Sequence, residues 1–346
     1  MKVYLYSGMQ KLIEKSGVGR AIYHQEKALS DNGFEYVKVK TKDYDLVHIN
    51  TIFPSSLMLA LKSKRQGIPV VYHAHSTQED FENSYIGSNL MAPLFKRWIK
   101  LCYKTGDVIV TPTDYSKELL KKYGITNPIF PISNGIDTEY YQKSAQDRLD
   151  FRKAYGFLEE DKVIMSVGLW IERKGILDFV EMAKRMPEYK FIWFGYSDPN
   201  TVPKKIRDAL KTKLPNLIFP GYVNKEDLKK AYSGCDLFLF MSKEETEGIV
   251  VLEALSMEIP VIVRNIPVYD NWLLNKINVY KADNNEEFEI AIHNVLEKRV
   301  ENLSICGRQT AEERDIKIVG KQLINIYKNT YNETNLKNNK SLAFMI

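Results

Sequence analysis

The residues best suited to chemistry lie in Glu245-Thr246-Glu247-Gly248-Ile249-Val250-Val251-Leu252-Glu253-Ala254-Leu255, directly after the apolar run Leu237–Phe240. A strand, a glycine-containing turn and a helix start would leave the backbone N–H groups of Gly248, Ile249 and Val250 without intrahelical acceptors, in position to hold a diphosphate. Two carboxylates eight residues apart flank that turn. Glu245 could meet a sugar, while Glu253, inside the helix, could accept hydrogen bonds from ribose hydroxyls. The same acids also read as solvated groups near a helix N-terminus, where the helix dipole favours them.

A second constellation, Ser166-Val167-Gly168-Leu169-Trp170-Ile171-Glu172-Arg173-Lys174-Gly175, has the order strand, loop, helix. Arg173 and Lys174 could neutralise a diphosphate as its sugar departs, without a metal, or they could be solvated cations before a helix. In Ser16-Gly17-Val18-Gly19-Arg20 the small residues would let backbone approach phosphate or sugar. His73 and His75 end the run Val70-Val71-Tyr72 and alternate with Ala74, so they share one face of an extended segment. No carboxylate or cysteine stands at ligand spacing, so hydrogen-bonded histidines are expected there and no metal site.

Positioning these groups requires strands and helices in alternation. Val3–Tyr6, Leu46–Ile49, Val70–Tyr72, Val108–Val110 and Ile129–Ile132 form one series of apolar runs separated by helix-like stretches. The pattern restarts with Val163–Val167, Phe191–Phe194, Leu217–Phe219, Leu237–Phe240 and Pro260–Val263. Two such series predict an α/β chain with two parallel sheets. The polar stretch Gln142–Asp147 lies between them and places the domains at 1–145 and 146–314. Open parallel sheets bind ligands at the carboxyl ends of their strands, so two facing sheets would make an interdomain cleft. Residues 332–346 are predicted to be a mobile tail, with Asn, Lys and Thr prominent over 332–340.

Composition fits this architecture. The chain has 346 residues, 44% hydrophobic and 27% charged, enough for two domains with cores of their own. No apolar run reaches the roughly eighteen residues that suggest a membrane span, and Met1–Tyr6 reads as a strand start instead of a signal peptide. Cys102, Cys235 and Cys306 are widely spaced and are expected to be reduced thiols. The net charge is +5, and between Lys62 and Lys104 seven basic residues face three acidic ones. Within that region Met91–Lys104 mixes bulky apolar residues with cations at helical spacing. Leu94, Trp98 and Leu101 would share a face and Lys96 and Lys100 another, as in a helix at a lipid interface or one packed on a core with solvated lysines. No basic stripe with stacking aromatics suggests nucleic acid.

Taken together, these motifs resemble the retaining family-4 glycosyltransferases, whose Glu-x7-Glu signature has the form Glu-x-x-Gly-Ile-Val-x-x-Glu found at Glu245–Glu253. The resemblance implies a GT-B fold, α/β with two Rossmann-like domains facing an interdomain cleft, and a last helix near 315–330 packing back on the first domain. It implies that Glu245 contacts donor-sugar hydroxyls, that Gly248, Ile249 and Val250 bind the phosphates, and that Glu253 binds ribose. Lys174 matches the family's lysine; the family's arginine position is Leu169 here, and Arg173 is the nearest guanidinium to replace it. Gly17 falls on the second glycine of the family's N-terminal Gly-Gly-Val loop, and His75 takes the place of its histidine near the donor sugar. Asn134-Gly135-Ile136-Asp137 resembles the turn leaving the first domain, and Gly221-Tyr222-Val223 the loop beside the nucleotide base.

Within the family, His73-Ala74-His75-Ser76-Thr77, Glu79-Asp80-Phe81, Ile86-Gly87-Ser88-Asn89 and Ile171–Gly175 resemble bacterial enzymes that add a second hexose to glucosyl-diacylglycerol. That implies UDP-glucose or UDP-galactose as donor and no tightly bound cofactor, with a divalent cation such as Mg2+ at most a stimulant without protein ligands. The product would be an α-linked diglycosyl-diacylglycerol. The enzyme would sit peripherally on the inner face of the cell membrane, meeting anionic lipids and its acceptor through Lys96, Arg97, Trp98, Lys100 and Lys104. Transfer would proceed with retention, the donor phosphate taking the acceptor's proton on the same face. Two other readings remain: transfer to a soluble or polyprenyl-linked saccharide, and a sugar-nucleotide-binding membrane module without turnover, against which Glu245 and Glu253 both count.

Overall fold

The structure is a computed structural model that describes residues 1–9, 13–14, 16–39 and 43–343, with side chains through Leu336. The chain divides into two compact units, one of residues 1–78, 91–135 and 314–346, the other of residues 79–90 and 136–313.

The first unit alternates β1 (Val3–Tyr6), α1 (Gly17–Asp31), β2 (Tyr36–Val37), β3 (Leu46–Ile49), α2 (Pro54–Arg65) and β4 (Val70–His73). It continues through α3 (Gln78–Phe81) and α4 (Ser88–Tyr103), with residues 79–90, from within α3 to the first turn of α4, belonging to the other unit, then β5 (Val108–Thr111), α5 (Asp114–Lys122) and β6 (Ile129–Pro131). All pairings are parallel, in the order β2-β1-β3-β4-β5-β6. The strands are apolar on both faces because both are covered. Tyr4, Val47, Val70 and Tyr72 pack with Ala60, Ile99, Tyr103 and Leu120, whereas Val3, Leu5, Leu46 and Val71 pack with Leu29, Val319, Leu323 and Tyr327.

The second unit runs through α6 (Ala145–Tyr155), β7 (Val163–Val167), α7 (Ile176–Arg185), β8 (Lys190–Phe194), α8 (Lys204–Leu210), β9 (Leu217–Gly221) and α9 (Lys225–Gly234). Then come β10 (Leu237–Phe240), α10 (Ile249–Ser256), β11 (Val261–Arg264), β12 (Tyr280–Ala282), α11 (Asn285–Leu296) and α12 (Ser304–Glu312). Its parallel sheet has the order β12-β11-β10-β7-β8-β9. The chain moves outward from β7 to β9, returns to the other side of β7, and moves outward again. The connections after β7 and β10 therefore diverge, opening a crevice at the carboxyl ends of these adjacent strands. Helix starts are set locally: Ser144, Asn224 and Asn284 each accept a hydrogen bond from an amide of the following turn.

The final helix, α13 (Ile316–Ala343), belongs to the first unit. Its Gly320 lies so close to α1 that a Cβ there would collide with the Ala28 carbonyl, and Asn32 of the α1 C-cap donates to the carbonyl oxygens of Ala28 (2.8 Å) and Lys317 (3.0 Å). This helix corrects the reading of 332–340 as a tail without structure: the backbone stays helical through Ala343. Lysine, asparagine and leucine at these positions do not oppose a helix already nucleated by the packed residues Ile316–Tyr327. Residues 344–346 lie outside the described residues. No helix among the described residues is long and apolar enough to cross a membrane.

Candidate active site

The second unit brings Arg173, Lys174 and Glu245 together at the crevice between β7 and β10. Gly175, at φ 81°, ends the short 3-10 turn Glu172–Lys174, and a Cβ at this position would strike the Met241 carbonyl just beyond β10. That close approach carries Lys174 to Glu245, with which it forms an ion pair. Ser242 donates to the same Glu245 oxygen at 2.6 Å. Arg173 stands behind the pair, 3.9 Å from Glu245. Its guanidinium is held by Asp80 (2.9 Å), the Glu244 carbonyl (2.6 Å) and Ser84 (3.3 Å).

Glu245 is buried, and although burial opposes its charge, Lys174 and then Arg173 hold its pKa below the usual value. Burial lowers the pKa of Lys174 even against the pull of Glu245. Burial also works against Arg173, but Asp80, then Glu245 and Glu244, outweigh it and keep its pKa high. The site is thus a charged cluster in a desolvated place, where its fields act strongly on any ligand. Asp80, Ser84 and Ser242 complete it; sequence reasoning gave them no role, because nothing in their spacing ties residues 80–84 to Arg173.

Three residues past Glu245, Gly248 takes φ 97°, a left-handed conformation suited to glycine, and α10 begins at Ile249. The expected strand, turn and helix start are present, with the first amides of α10 beside the charged cluster. Glu253 lies inside α10 with 0% exposure. One of its oxygens accepts from the Tyr141 hydroxyl at 2.7 Å and the other from the Tyr232 hydroxyl at 2.9 Å. It is no solvated acid; a ribose reaching it would share it with two phenols. Tyr222, exposed, and Val223 follow β9. Leu169, at the family's arginine position, packs against the core of this unit.

The other expected residues belong to the first unit. His75 donates from Nε2 to Asn50 Oδ1 at 3.1 Å and stacks on His73, ring centroids 3.9 Å apart. His48 also stacks on His73, ring centroids 5.3 Å apart, and bonds the Tyr327 hydroxyl at 2.6 Å. Burial holds His75 at about 3, and burial with the neighbouring His75 does the same for His48; His73 is also held well below the ordinary 6.5. His75 and His48 are hydrogen-bonded, as expected for the first of them, whereas neither ring nitrogen of His73 has a hydrogen-bond partner among the described residues, and its ring is held by stacking alone. At the start of α1, Ser16 Oγ accepts from the Gly19 amide at 3.3 Å. A Cβ on Gly19 would collide with the Ile13 carbonyl, whereas one on Gly17 would meet open space. Steric need therefore falls on Gly19, and Gly17 offers an approachable backbone.

Helix α4 corrects the expected faces. Trp98 points inward with Phe95, packs against the core and donates its indole N–H to the Ile52 carbonyl at 2.7 Å. Lys96 lies over the Tyr123 ring, 4.4 Å from its centroid, and Lys100 is half-buried near Gly124. The outward stripe is Leu90 (85% exposed), Leu94 (58%), Arg97 and Leu101 (52%), with Met91 and Lys104 alongside. Leu94 and Leu101 share the outward face as expected, and the residue that departs from it is Trp98, whose indole N–H is drawn inward by the Ile52 carbonyl in the loop after β3.

Comparison with known proteins bears on this geometry. Residues 36–140 match Glycosyltransferase Family 4 and residues 147–313 match Glycosyl transferases group 1. The chain is 41% identical over 328 residues to a processive diacylglycerol alpha-glucosyltransferase of Acholeplasma laidlawii, covering 94% of this chain and 98% of the relative. It is 26% identical over 230 residues to an alpha-galactosylglucosyldiacylglycerol synthase of Streptococcus pneumoniae, covering 65% of this chain and 61% of that protein. Among solved structures, HepE of Anabaena in complex with UDP and glucose aligns with a TM-score of 0.75 over 95% of this chain and 99% of that one, at 16% identity. Sucrose-phosphate synthase from Thermosynechococcus elongatus aligns with a TM-score of 0.77 over 96% and 100%, at 15% identity. These structural likenesses speak to the fold.

Proposed function

This chain belongs to glycosyltransferase family 4, and from that membership we propose that it transfers a hexose from a UDP-sugar to glucosyl-diacylglycerol, making an α-linked diglycosyl-diacylglycerol. It is a hexosyltransferase with the two-sheet GT-B fold. The observation that carries the reading of its donor site is the buried Glu245–Lys174 pair beside the first amides of α10.

An incoming diphosphate would be met by the amides of Gly248, Ile249 and Val250 and would compete with Glu245 for Lys174. Glu245, partly released, would take hydroxyls of the donor sugar, while Arg173 behind it keeps the carboxylate ionised. As the sugar leaves, Lys174, Arg173 and the amides stabilise the charge growing on UDP, and the phosphate accepts the acceptor's proton on the face from which it departs. Glu253 with its two phenols would receive the ribose, and the Tyr222-Val223 loop the base. The Acholeplasma relative's name, an alpha-glucosyltransferase acting on diacylglycerol lipids, favours glucose over galactose. The outward stripe of α4, apolar with Arg97 and Lys104, suits a peripheral position on anionic lipid at the inner face of the membrane.

The test is mass spectrometry of lipids after incubating the purified protein with glucosyl-diacylglycerol in anionic vesicles, with UDP-glucose and UDP-galactose supplied separately. A gain of one or more hexoses from UDP-glucose is expected. UDP binding without lipid product from either donor would sink the lipid acceptor and point to a saccharide acceptor.

A further inference from the structure

Tyr269 ends the 3-10 turn Pro267–Tyr269 that follows β11, and its side chain is 0% exposed. Its place is fixed from several sides. The Tyr269 amide donates to the Ile266 carbonyl at 3.0 Å, its carbonyl accepts from the Leu273 amide at 2.9 Å, and Trp272 packs edge-on to the ring at 5.6 Å. Yet the hydroxyl at the end of this fixed ring has no hydrogen-bond partner among the described residues. A buried hydroxyl left in that state costs stability, so its presence calls for an acceptor the protein itself does not supply.

The direction of the hydroxyl identifies the acceptor. It lies 3.1 Å from the point where a Cβ on Gly248 would stand, nearer than the side chains of Val251 (3.4 Å) and Phe240 (3.8 Å). It therefore faces the turn that opens α10, where backbone amides favour an anion. Burial, then Glu245 and Glu244, raise the pKa of Tyr269 well above its ordinary value, so the phenol keeps its proton and acts as a donor. A protonated donor beside helix-start amides, with Lys174 and Arg173 bound to neighbouring Glu245, is matched by a phosphate oxygen.

We propose that the Tyr269 hydroxyl donates a hydrogen bond to the distal phosphate of the nucleoside diphosphate held at the amides of Gly248, Ile249 and Val250. This rests on the donor reading given above and adds a contact to it. The hydroxyl then serves the leaving group directly, since the charge released when the sugar–oxygen bond breaks collects on that phosphate.

The experiment is calorimetric titration of the full-length protein and its Tyr269→Phe variant with UDP, UMP and uridine, alongside thermal melts without ligand and turnover with UDP-glucose. Loss of one hydrogen bond to a charged group should weaken UDP binding about 10-fold. UMP and uridine, which lack the distal phosphate, should bind both proteins alike, and turnover should fall by at least the same factor. The ligand-free variant should melt no lower than the parent, because an unpaired hydroxyl has been removed. Equal UDP affinity in the two proteins overturns the proposal while leaving the donor site standing. Equal weakening for all three ligands, with a lower melting temperature, also overturns it, by showing a hydroxyl bonded within the protein. A parent protein that binds no UDP removes the donor reading and this contact together.

Discussion

Lys174 and Glu245 hold each other charged in a place where burial would suppress either one alone. In the proposed donor site the arrangement would hold positive charge ready for a diphosphate, at the cost of a carboxylate to be shared when it arrives. Glu245→Gln keeps the size of the side chain and removes that charge. Turnover with UDP-glucose should fall about 100-fold or more, the scale of removing one stabilising group from a polar site. UDP affinity should change little, since the amides and a freed Lys174 remain. Steady-state kinetics with UDP titration checks the split, and a variant with undiminished turnover would remove Glu245 from the sugar. Breaking a buried pair should also lower the melting temperature, by an amount equivalent to about 3–5 kcal/mol at most. Glu245, Lys174, Arg173 and Gly248 stand out in the sequence because each sits in a short, ordered motif, although the fold alone brings Lys174 to Glu245 across 71 residues. Asp80, Ser84, Tyr141, Tyr232 and Tyr269 were not, since each reaches its partner through the fold: Ser84 stands 89 residues from Arg173 and Tyr141 stands 112 from Glu253.

Strands β3 and β4 carry three imidazoles into the interior of the first unit, His48 and His73 from the strands and His75 just beyond. Their low pKa values make an acid-sensitive element. Below about 6.5 the unfolded chain takes up protons that His48 and His75 refuse until about 3, so the unfolded state binds more protons across that window. Stability is therefore full above 6.5 and lost progressively as pH falls towards 3, by about 1.4 kcal/mol per pH unit for each ring once its unfolded form is protonated. Urea midpoints measured from pH 7.5 down to 5 should decline through this range, where carboxylates contribute little; a flat midpoint would mean that these rings are charged or open to water in the folded protein. Every long apolar run predicted as a strand is a strand here, because burial on both faces leaves a continuous apolar signature. The short edge strands β2 and β12, of two and three residues, carry too little pattern to stand out. The full length of α13 was hidden for a different reason: its last turns are polar and take their helicity from the packed start of the same helix.

At the scale of the whole molecule, charge and shape meet on α4. A net charge of +5 spread over 346 residues would bind nothing firmly. Leu90, Leu94 and Leu101 in one outward stripe, with Arg97 and Lys104 beside them, concentrate apolar area and charge in one place. Inserting a leucine into lipid gains about 1.5–3 kcal/mol, whereas a cation near an anionic surface adds about 1 kcal/mol that salt can screen. The two contributions can be separated. Co-sedimentation with vesicles of anionic and neutral lipid should show tight binding at low salt to the anionic set and a weaker, salt-resistant remainder. Leu94→Glu with Leu101→Glu should lower vesicle affinity by at least about tenfold at any salt concentration, on the same leucine transfer scale. UDP affinity should stay unchanged, because neither leucine belongs to the unit of Lys174, Glu245 and Glu253, the residues proposed to meet UDP. If the double variant binds vesicles as well as the parent, the stripe is an exposed helix face without a lipid role, and the acceptor must reach the enzyme by another surface.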